Sequence, residues 1–282
     1  MNLLETKNLS KHFGGLKAVD DFSFTLDKGM ILSVIGPNGA GKTTFFNCLT
    51  GLYPPSEGKV IFNDKDITGY PAHQVTKLGF GRTFQNIRLF GEMTALENVM
   101  VGMFCRTKSG LVGSILRLKG TVREEHDCVT KAMELLKFVG LMGQSTCQPT
   151  NQSDSRACPA SEGTEWCWAR NLAYGDQRRL EIARALATQP SLLLLDEPAA
   201  GMNPTETNEL MVLIKKIRDK GITILLIEHH MKVVMGISDK VVVLDHGVKI
   251  AEGCCKDVQC NPKVIEAYLG DSHGDTENTE NL

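Results

Sequence analysis

The amino-acid sequence predicts an α/β fold in which a helical insertion interrupts a largely parallel sheet. Three apolar runs have the length of strands, and their unbroken hydrophobicity is typical of parallel strands that helices cover on both faces. Patterns with helical spacing separate these runs, as expected when strands and helices alternate along a chain. The three runs are Leu192–Leu195, Ile222–Ile227 and Val241–Leu244.

Short strands and tight turns are predicted in the N-terminal part of the chain. The opening stretch alternates apolar and polar residues up to the glycine pair at 14–15, and Phe22–Leu26 repeats the alternation before another turn. Lys59–Phe62 has the pattern of a further short strand. Leu78–Phe84 is predicted as a strand that runs toward Gln85.

Helical patterns dominate the middle of the chain. Thr94 and Glu97 have the spacing of a capping box, which marks the start of a helix. Apolar residues recur at helical spacing between Val122 and Val139, and a second helical pattern covers 208–220. The polar and acidic end of the chain, from Asp271, is predicted to be disordered.

The bulk composition is that of an ordinary soluble globular protein. The 282 residues are 42% hydrophobic and carry a net charge of −2, so charge gives no reason to expect a nucleic-acid partner. No apolar run approaches the roughly 18 residues needed to span a bilayer. The first residues lack the charged-then-apolar order of a secretion signal. We therefore expect a cytosolic chain.

The nine cysteines are expected to be free thiols. None of them forms a C-x-x-C pair or stands with histidine at zinc-finger spacing. An odd count in a chain without a secretion signal also argues against a disulfide framework. The sequence therefore predicts no metal site made of cysteine.

One segment fits the phosphate-binding P-loop pattern G-x-x-x-x-G-K-[ST]. It spans 36–44 between an apolar strand and a helix, a setting that distinguishes a functional loop from a Gly-rich turn. Glycine lets the backbone wrap around phosphate oxygens, so that N–H groups and the helix N-terminus face the anion. Lys42 is expected to pair with the β- and γ-phosphates of ATP, and the Thr43 hydroxyl to bind Mg²⁺. The predicted nucleotide-binding residues of this loop are Gly36, Asn38, Gly39, Ala40, Gly41, Lys42, Thr43 and Thr44.

Two acidic residues follow the apolar run at 192–195 and form a Walker B pattern with it. Asp196 is predicted at the C-terminal tip of the strand, where it can contribute to the Mg²⁺ shell. Glu197 is predicted to orient and polarise the water that attacks the γ-phosphorus. The alternative is an ordinary strand end that enters an acidic turn, and the P-loop earlier in the chain argues against it.

The stretch Leu172–Leu180 resembles the LSGGQ signature of ATP-binding cassette (ABC) proteins. It places a glycine at a predicted helix N-terminus, which is again an anion-facing arrangement. The resemblance implies that Ala173, Gly175 and Asp176 face the ATP held by a partner subunit. A plain N-terminus of an amphipathic helix is the alternative.

Further motifs of the same family can be matched one at a time. Gln85 resembles the Q-loop glutamine that senses the metal and the attacking water, and it is predicted as a metal ligand and catalytic residue. His229 resembles the switch histidine that contacts the γ-phosphate, with His230 as a bystander. Phe13 resembles the aromatic residue that stacks on adenine, although an aromatic near a strand end is commonly part of the core. The stretch Ala200–Asn203 resembles the D-loop, with Asn203 at the position where many relatives carry aspartate.

The finer resemblance is to the LivG-type nucleotide-binding subunits of branched-chain amino-acid importers. It implies a P-loop NTPase (ABC ATPase) core with an antiparallel β-subdomain and an inserted helical subdomain. The ABC ATPase domain is expected over 1–255, with its core at about 1–85 and 176–255 and the helical subdomain at about 86–175. A C-terminal helix and acidic tail are expected over 256–282. The stretches that carry this resemblance are 35–44, 82–85, 171–184, 196–204 and 267–270.

This resemblance implies a subunit that hydrolyses ATP, with Mg²⁺, to drive an importer. The implied partners are two membrane permease subunits, a second ABC ATPase that makes a homo- or heterodimer, and an extracytoplasmic solute-binding protein, with no nucleic acid. The implied location is peripheral, on the cytoplasmic face of the cell membrane. Two alternatives are an ABC ATPase for another solute, such as urea or lipopolysaccharide, and a soluble ABC ATPase that acts on DNA or ribosomes.

The segment 144–168 departs from the family pattern. It is rich in Ser, Thr, Asn, Gln, Pro and Cys, and it contains both tryptophans of the chain. A tolerated surface loop and an error in the underlying gene sequence are the two interpretations of this insertion. A zinc or disulfide role for Cys147, Cys158 and Cys167 is a third and sharper hypothesis.

Overall fold

The computed structural model describes residues 2–106, 119–143 and 163–270, and these form two compact units. The first unit combines residues 1–82 with 191–282, and the second spans 83–190. No helix of the described ranges is long and apolar enough to cross a membrane. In chain order the helices are α1 (Lys42–Leu49), α2 (Ala72–Leu78), α3 (Ala95–Met103), α4 (Lys119–Phe138), α5 (Tyr174–Ala187), α6 (Pro204–Asp219), α7 (Met231–Ile237), α8 (Cys255–Gln259) and α9 (Pro262–Gly270).

The first unit contains a four-stranded antiparallel sheet and a six-stranded, mainly parallel sheet. The antiparallel sheet has the order β2-β1-β4-β5, and the other has the order β10-β9-β3-β8-β7-β6. In chain order the strands are β1 (Asn2–Phe13), β2 (Leu16–Asp27), β3 (Ile31–Ile35), β4 (Glu57–Phe62), β5 (Lys65–Asp66), β6 (Phe80–Arg82), β7 (Leu192–Asp196), β8 (Thr223–Ile227), β9 (Lys240–Asp245) and β10 (Val248–Gly253).

The three apolar runs form the centre of the six-stranded sheet, as predicted. β7 and β8 are parallel to both of their neighbours, β9 is parallel to β3, and β3 lies between β8 and β9. Every residue of β3, β7 and β8 is buried, which explains why these strands show no alternation of polar and apolar residues. β10, which the sequence analysis did not predict, adds an antiparallel edge to the sheet.

An aromatic cluster joins the antiparallel sheet to α1. Phe22 and Phe24 extend from β2, and the ring of Phe45 on α1 lies 4.6 Å from that of Phe22 and 5.5 Å from that of Phe24. All three side chains are buried. Burial of this much aromatic surface fixes α1 against this sheet. The packing of Phe45 on these rings therefore fixes the position of the helix that follows the P-loop.

The strand predicted at Leu78–Phe84 is wrong in its bounds. Leu78 is the last residue of α2, and Gly79 ends that helix with a left-handed φ of 113°. β6 covers only Phe80–Arg82 and pairs with β7. Glycine supplies the left-handed conformation of a helix C-cap without steric cost, so it marks a helix end here and not a strand interior.

Three helices of the second unit, α3, α4 and α5, pack on one another. The predicted capping box is present: the Thr94 hydroxyl accepts from the Glu97 N–H, and the Glu97 carboxylate accepts from the Thr94 N–H. α3 and α5 approach closely at Gly102, where a Cβ atom would lie 2.4 Å from the Arg184 carbonyl oxygen. α5 packs on α3 and belongs to the same compact unit, which continues to Pro190.

The end of the insertion is built into this unit. Trp168 forms an isolated β-bridge with Thr94, and the Cys167 carbonyl accepts a hydrogen bond of 2.9 Å from the Ala95 N–H. Cys167 is fully buried and disulfide-bonded, so the expectation of free thiols is wrong at this position. The expectation holds for six other cysteines that the structure describes: Cys48, Cys105, Cys128, Cys254, Cys255 and Cys260.

Two of the predictions fall partly or wholly outside the described residues. The insertion is described only from Gly163 onward, so Cys147 and Cys158 are not covered. The predicted acidic tail lies beyond the last described helix, α9. That helix packs through Val264 and Tyr268 on a cluster around Ile35, the last residue of β3.

Candidate functional site

The P-loop connects the C-terminal end of β3 to the N-terminus of α1, and two of its glycines have no room for a side chain. Gly36 has a φ of 151°, and a Cβ atom there would lie 1.9 Å from the Leu244 carbonyl oxygen. Gly41 has a φ of 98°, and its Cβ would lie 2.1 Å from the Ala18 carbonyl oxygen. The loop is thus pressed against the main chain of neighbouring strands, which only glycine permits.

Burial divides the predicted nucleotide-binding residues of the loop into an inner and an outer set. Gly36, Ala40 and Lys42 are buried, and Gly41 and Thr44 are half-buried. Asn38, Gly39 and Thr43 are exposed. The outer set, with the first N–H groups of α1, is the surface that an anion can approach.

The side chain of Lys42 is folded back over its own loop. Its ammonium group donates to the Gly36 carbonyl at 2.6 Å and to the Pro37 carbonyl at 2.7 Å. Burial lowers the pKa of Lys42, and the nearby carboxylates of Glu197 and Asp196 oppose this shift. The cation and both acidic residues therefore belong to one electrostatic environment.

Asp196 occupies the C-terminal end of β7 and is almost completely buried. Its carboxylate forms an ion pair of 3.3 Å with Arg82, at the end of β6. The Arg82 guanidinium also donates to the Asn47 side-chain oxygen at 2.8 Å and to the Thr50 hydroxyl at 2.7 Å. Arg82 thereby links two strand ends to α1. Sequence reasoning missed this role, because no spacing rule pairs a residue of one strand with an acid 114 positions later.

Glu197 and His229 lie side by side just past the C-terminal ends of β7 and β8. Glu197 has a φ of 46°, a strained conformation for a residue with a side chain, and its N–H donates to the Ile227 carbonyl at 3.0 Å. One Glu197 oxygen lies 3.7 Å from Nδ1 of His229. The His229 side chain is 46% exposed, whereas that of Glu197 is 16% exposed. This half-sheltered carboxylate beside an accessible imidazole is a suitable setting for proton transfer.

A second acidic residue, Glu228, holds the backbone around this pair. It is fully buried, and one carboxylate oxygen accepts from the Ala199 N–H at 2.9 Å. The other oxygen accepts from the N–H groups of His229 at 3.1 Å and His230 at 3.3 Å. Sequence reasoning missed Glu228, although an acid directly after an apolar strand is the same signal that indicated Asp196.

Phe13 and Asn203 are also placed within the first unit. Phe13 ends β1 with 44% exposure, so the alternative of a core aromatic is wrong. Its ring meets Tyr53 edge-on at 5.5 Å, and the Lys11 ammonium lies 5.1 Å from the ring centroid. Asn203 caps α6 by accepting from the Glu206 N–H at 2.9 Å. Its side chain thus has a structural task.

Gln85 and the signature segment belong to the second unit. Ala173 precedes the first turn of α5, which has no side-chain cap among the described residues, and Gly175 is buried within that turn. Asp176 is an acidic residue of the same turn. The main-chain carbonyl of Gln85 accepts a hydrogen bond of 2.9 Å from Arg178 on α5. The Q-loop and the signature helix are therefore in direct contact.

The oxygen donors of the P-loop unit suit Mg²⁺ better than a softer metal. The predicted ligands in this unit are the Thr43 hydroxyl and the Asp196 carboxylate, which are hard donors, and the third predicted ligand, Gln85, belongs to the second unit. No group of three His, Cys, Asp or Glu side chains that could hold a metal ion occurs in the described part of the chain. A site with so few protein ligands fits Mg²⁺, which is commonly bound by one or two protein groups together with phosphate oxygens and water.

The comparison with known proteins identifies the family. A family model described as "ABC transporter" matches residues 19–200. The chain belongs to the ABC transporter family. A second model, described as "Branched-chain amino acid ATP-binding cassette transporter", matches residues 248–274. These matches confirm the family that the sequence motifs indicated.

Individual relatives of this ABC chain match it over nearly its whole length. The "High-affinity branched-chain amino acid transport ATP-binding protein LivG" of Escherichia coli K12 is 45% identical over 96% of this chain and 98% of its own. The corresponding protein BraF of Pseudomonas aeruginosa is 42% identical over the same shares. A crystal structure of the ADP conformation of an ATP-binding cassette of an ABC transporter gives a TM-score of 0.78 at 34% identity, over 96% of this chain and 99% of that one. The predicted fold class is thereby confirmed.

Proposed function

We propose that this protein is the ATP-binding and ATP-hydrolysing subunit of an ABC importer for branched-chain amino acids. The observation that carries the proposal is the arrangement of Lys42, Asp196 and Glu197 around a P-loop whose glycines contact the neighbouring main chain. A cation, a metal-binding carboxylate and a carboxylate that can act on water are the parts that phosphoryl transfer to water requires.

Each site residue has a proposed task in ATP binding. Lys42 exchanges its contacts with the Gly36 and Pro37 carbonyls for the β- and γ-phosphates, while the outer N–H groups of the loop bind the remaining oxygens. The exposed ring of Phe13 stacks on the adenine. These contacts come from one chain and need no partner.

Hydrolysis uses the two carboxylates and the histidine. Thr43, Asp196 and Gln85 would hold Mg²⁺, which when bound neutralises the charge that develops on the phosphate oxygens. Glu197 accepts a hydrogen bond from the attacking water and orients it toward the γ-phosphorus. His229, 3.7 Å from Glu197, donates to the γ-phosphate. The strained backbone at Glu197 keeps its carboxylate at the strand end.

The signature segment serves the nucleotide of a second subunit. Ala173, Gly175 and Asp176 lie at the N-terminus of α5, which has no side-chain cap among the described residues and can receive the γ-phosphate of an ATP that another chain holds. We propose two such ATPase subunits, two membrane permease subunits and an extracytoplasmic binding protein. The protein then lies peripherally on the cytoplasmic face of the membrane. The names of the relatives and the match at 248–274 support branched-chain amino acids as the solute.

Purification of the intact complex from membranes tests this proposal. We expect an affinity-tagged chain to bring down two permease subunits, and vesicles that contain the complex to import radiolabelled leucine in an ATP-dependent way. Uptake of urea but not of leucine would show that urea, and not a branched-chain amino acid, is the transported solute. Recovery of the chain from the soluble fraction without permease subunits would overturn the transport role.

A further inference from the structure

A buried ion pair in the second unit has no task in the proposed function so far. Arg178 and Glu181 lie one turn apart on α5, and a guanidinium nitrogen is 3.2 Å from a carboxylate oxygen. Their side chains are 0% and 1% exposed. Burial raises the pKa of Glu181, and Arg178 is the largest opposing influence. Such a pair needs further hydrogen bonds to offset the loss of water.

Those hydrogen bonds go to the main chain of the Q-loop. Arg178 donates to the Phe84 carbonyl at 2.7 Å and to the Gln85 carbonyl at 2.9 Å. One Glu181 oxygen accepts from the N–H groups of Phe84 at 3.3 Å and Arg88 at 3.4 Å. Four backbone groups of the segment 84–88 are thus bound to two side chains of α5. Loop segments outside regular structure depend on such partners to hold one conformation.

The same ion pair reaches the signature segment. Arg178 also donates to the Tyr174 hydroxyl at 3.1 Å, and Tyr174 is the first residue of α5. A continuous chain of contacts therefore runs from the carbonyl of Gln85 through the Arg178 guanidinium to the start of the signature helix. A displacement of the Q-loop backbone must either break these charge-assisted hydrogen bonds or move α5 with it.

We propose that Arg178 and Glu181 are positioning residues that lock the main chain of Gln85 to the signature helix. Through this lock, the main chain of Gln85 and the N-terminus of the signature helix keep one fixed arrangement. The inference rests on the proposed function and names the link between its two half-sites. Neither residue touches the nucleotide in this proposal.

A double-mutant cycle of Arg178→Met with Gln85→Ala tests the lock in the full chain, within its membrane complex. In the native background we expect Arg178→Met to lower ATP turnover about tenfold, because small errors of position are costly in catalysis. In the Gln85→Ala background the same change should cost less than about twofold, since the residue that the lock positions is absent. ATP affinity should stay within about twofold in both backgrounds, because the P-loop is untouched.

Arg179→Met is the matched control, since it removes the same charge from the adjacent position of α5. Arg179→Met should change ATP turnover by the same factor in the native background and in the Gln85→Ala background. If Arg178→Met does not fold, as judged by thermal unfolding, Arg178→Lys and Glu181→Gln replace it in the same cycle. Lysine keeps the charge but not the forked geometry of the guanidinium, so we expect a smaller loss than with Met and the same dependence on Gln85.

Equal losses from the Arg178 substitution with and without Gln85 would overturn the lock. This result differs from failure of the proposed function. If the proposed function were wrong, the native complex would show no ATP turnover, or a turnover that Glu197→Gln does not abolish. A native complex that hydrolyses ATP, combined with an additive cycle, rejects only the lock.

Discussion

The P-loop and the signature segment both lead into a helix, but the two regions are built differently. α1 follows three glycines with positive φ: 151° at Gly36, 80° at Gly39 and 98° at Gly41. α5 follows Ala173, which has an ordinary φ of −57°. Within the described residues, neither helix has a side-chain cap. Both N-termini can therefore attract an anion, although only the first is surrounded by a specialised loop.

This difference supports the proposal that only the P-loop half-site is complete within one chain. The P-loop has its cation, its carboxylates and its shape fixed by contacts inside the first unit, such as those of Lys42 and Gly36. The signature helix instead presents Tyr174 to solvent with 44% exposure. We infer that the first region holds a nucleotide without help from a partner, and we propose that the second meets another subunit. The following changes test the first of these statements, in order of expected effect.

Arg82→Met should destabilise the P-loop unit most. It removes the Arg82 guanidinium from the buried carboxylate of Asp196, and loss of one partner of a buried ion pair costs about 3 kcal/mol. Lys17→Met is the control, because the Lys17–Asp20 pair is exposed and should contribute less than about 0.5 kcal/mol. Chemical denaturation gives both values. Equal losses of unfolding free energy in the two variants would show that the buried Arg82–Asp196 pair stabilises this unit no more than an exposed pair does.

Glu197→Gln should bind ATP and hydrolyse it at least about a hundredfold more slowly, because the amide cannot accept the proton of the attacking water. The control is Glu206→Gln, the same chemical change at the capping box of α6, where glutamine also supports the cap. Steady-state turnover and nucleotide binding are measured for both. Near-normal turnover in Glu197→Gln would remove this residue from its proposed role.

Gly36→Ala should weaken ATP binding by about thirtyfold, or about 2 kcal/mol, since the new Cβ meets the Leu244 carbonyl and the loop must shift. Gly29→Ala is the matched control. Gly29 also has a positive φ, of 75°, but a Cβ there meets nothing within 4 Å. That variant should lose only stability. Titration with a fluorescent ATP analogue distinguishes the two, and an unchanged affinity in Gly36→Ala would show that the loop is more adaptable than we infer.

Tyr268→Phe should have the smallest effect, and only in alkali. Burial raises the pKa of Tyr268 from 10 to about 12, so the unfolded chain loses this proton at lower pH than the folded one. The contribution of the neutral phenol is therefore complete below pH 10 and is lost as the pH rises through 12, with about 1.4 kcal/mol lost by pH 11. Between pH 8 and pH 11, the free energy of unfolding should fall less in Tyr268→Phe than in the native chain. An identical decline would mean that this hydroxyl is not buried against the P-loop strand.

Much of this structure could be predicted from the sequence, because its signals are local. Periodicity and the capping box at Thr94 gave the main strands and helices, and the P-loop pattern marked its own position. The errors arose where distant residues decide the outcome. Gly79 ends a helix inside a predicted strand, and Cys167 is disulfide-bonded where a free thiol was predicted. The buried pairs of Arg82 and Arg178 depend on three-dimensional contacts that no spacing rule reveals.

The most direct test of the two-region account measures ATP affinity and turnover together in Lys42→Ala and Ala173→Asp. Aspartate at 173 places a carboxylate cap at the start of α5, where it competes with a phosphate from the second subunit. We expect Lys42→Ala to lose at least about a hundredfold in affinity as well as its turnover. Ala173→Asp should keep its affinity within about twofold and lose turnover at least about tenfold. An equal loss of affinity in both variants would contradict the account, because the signature would then serve the chain's own nucleotide.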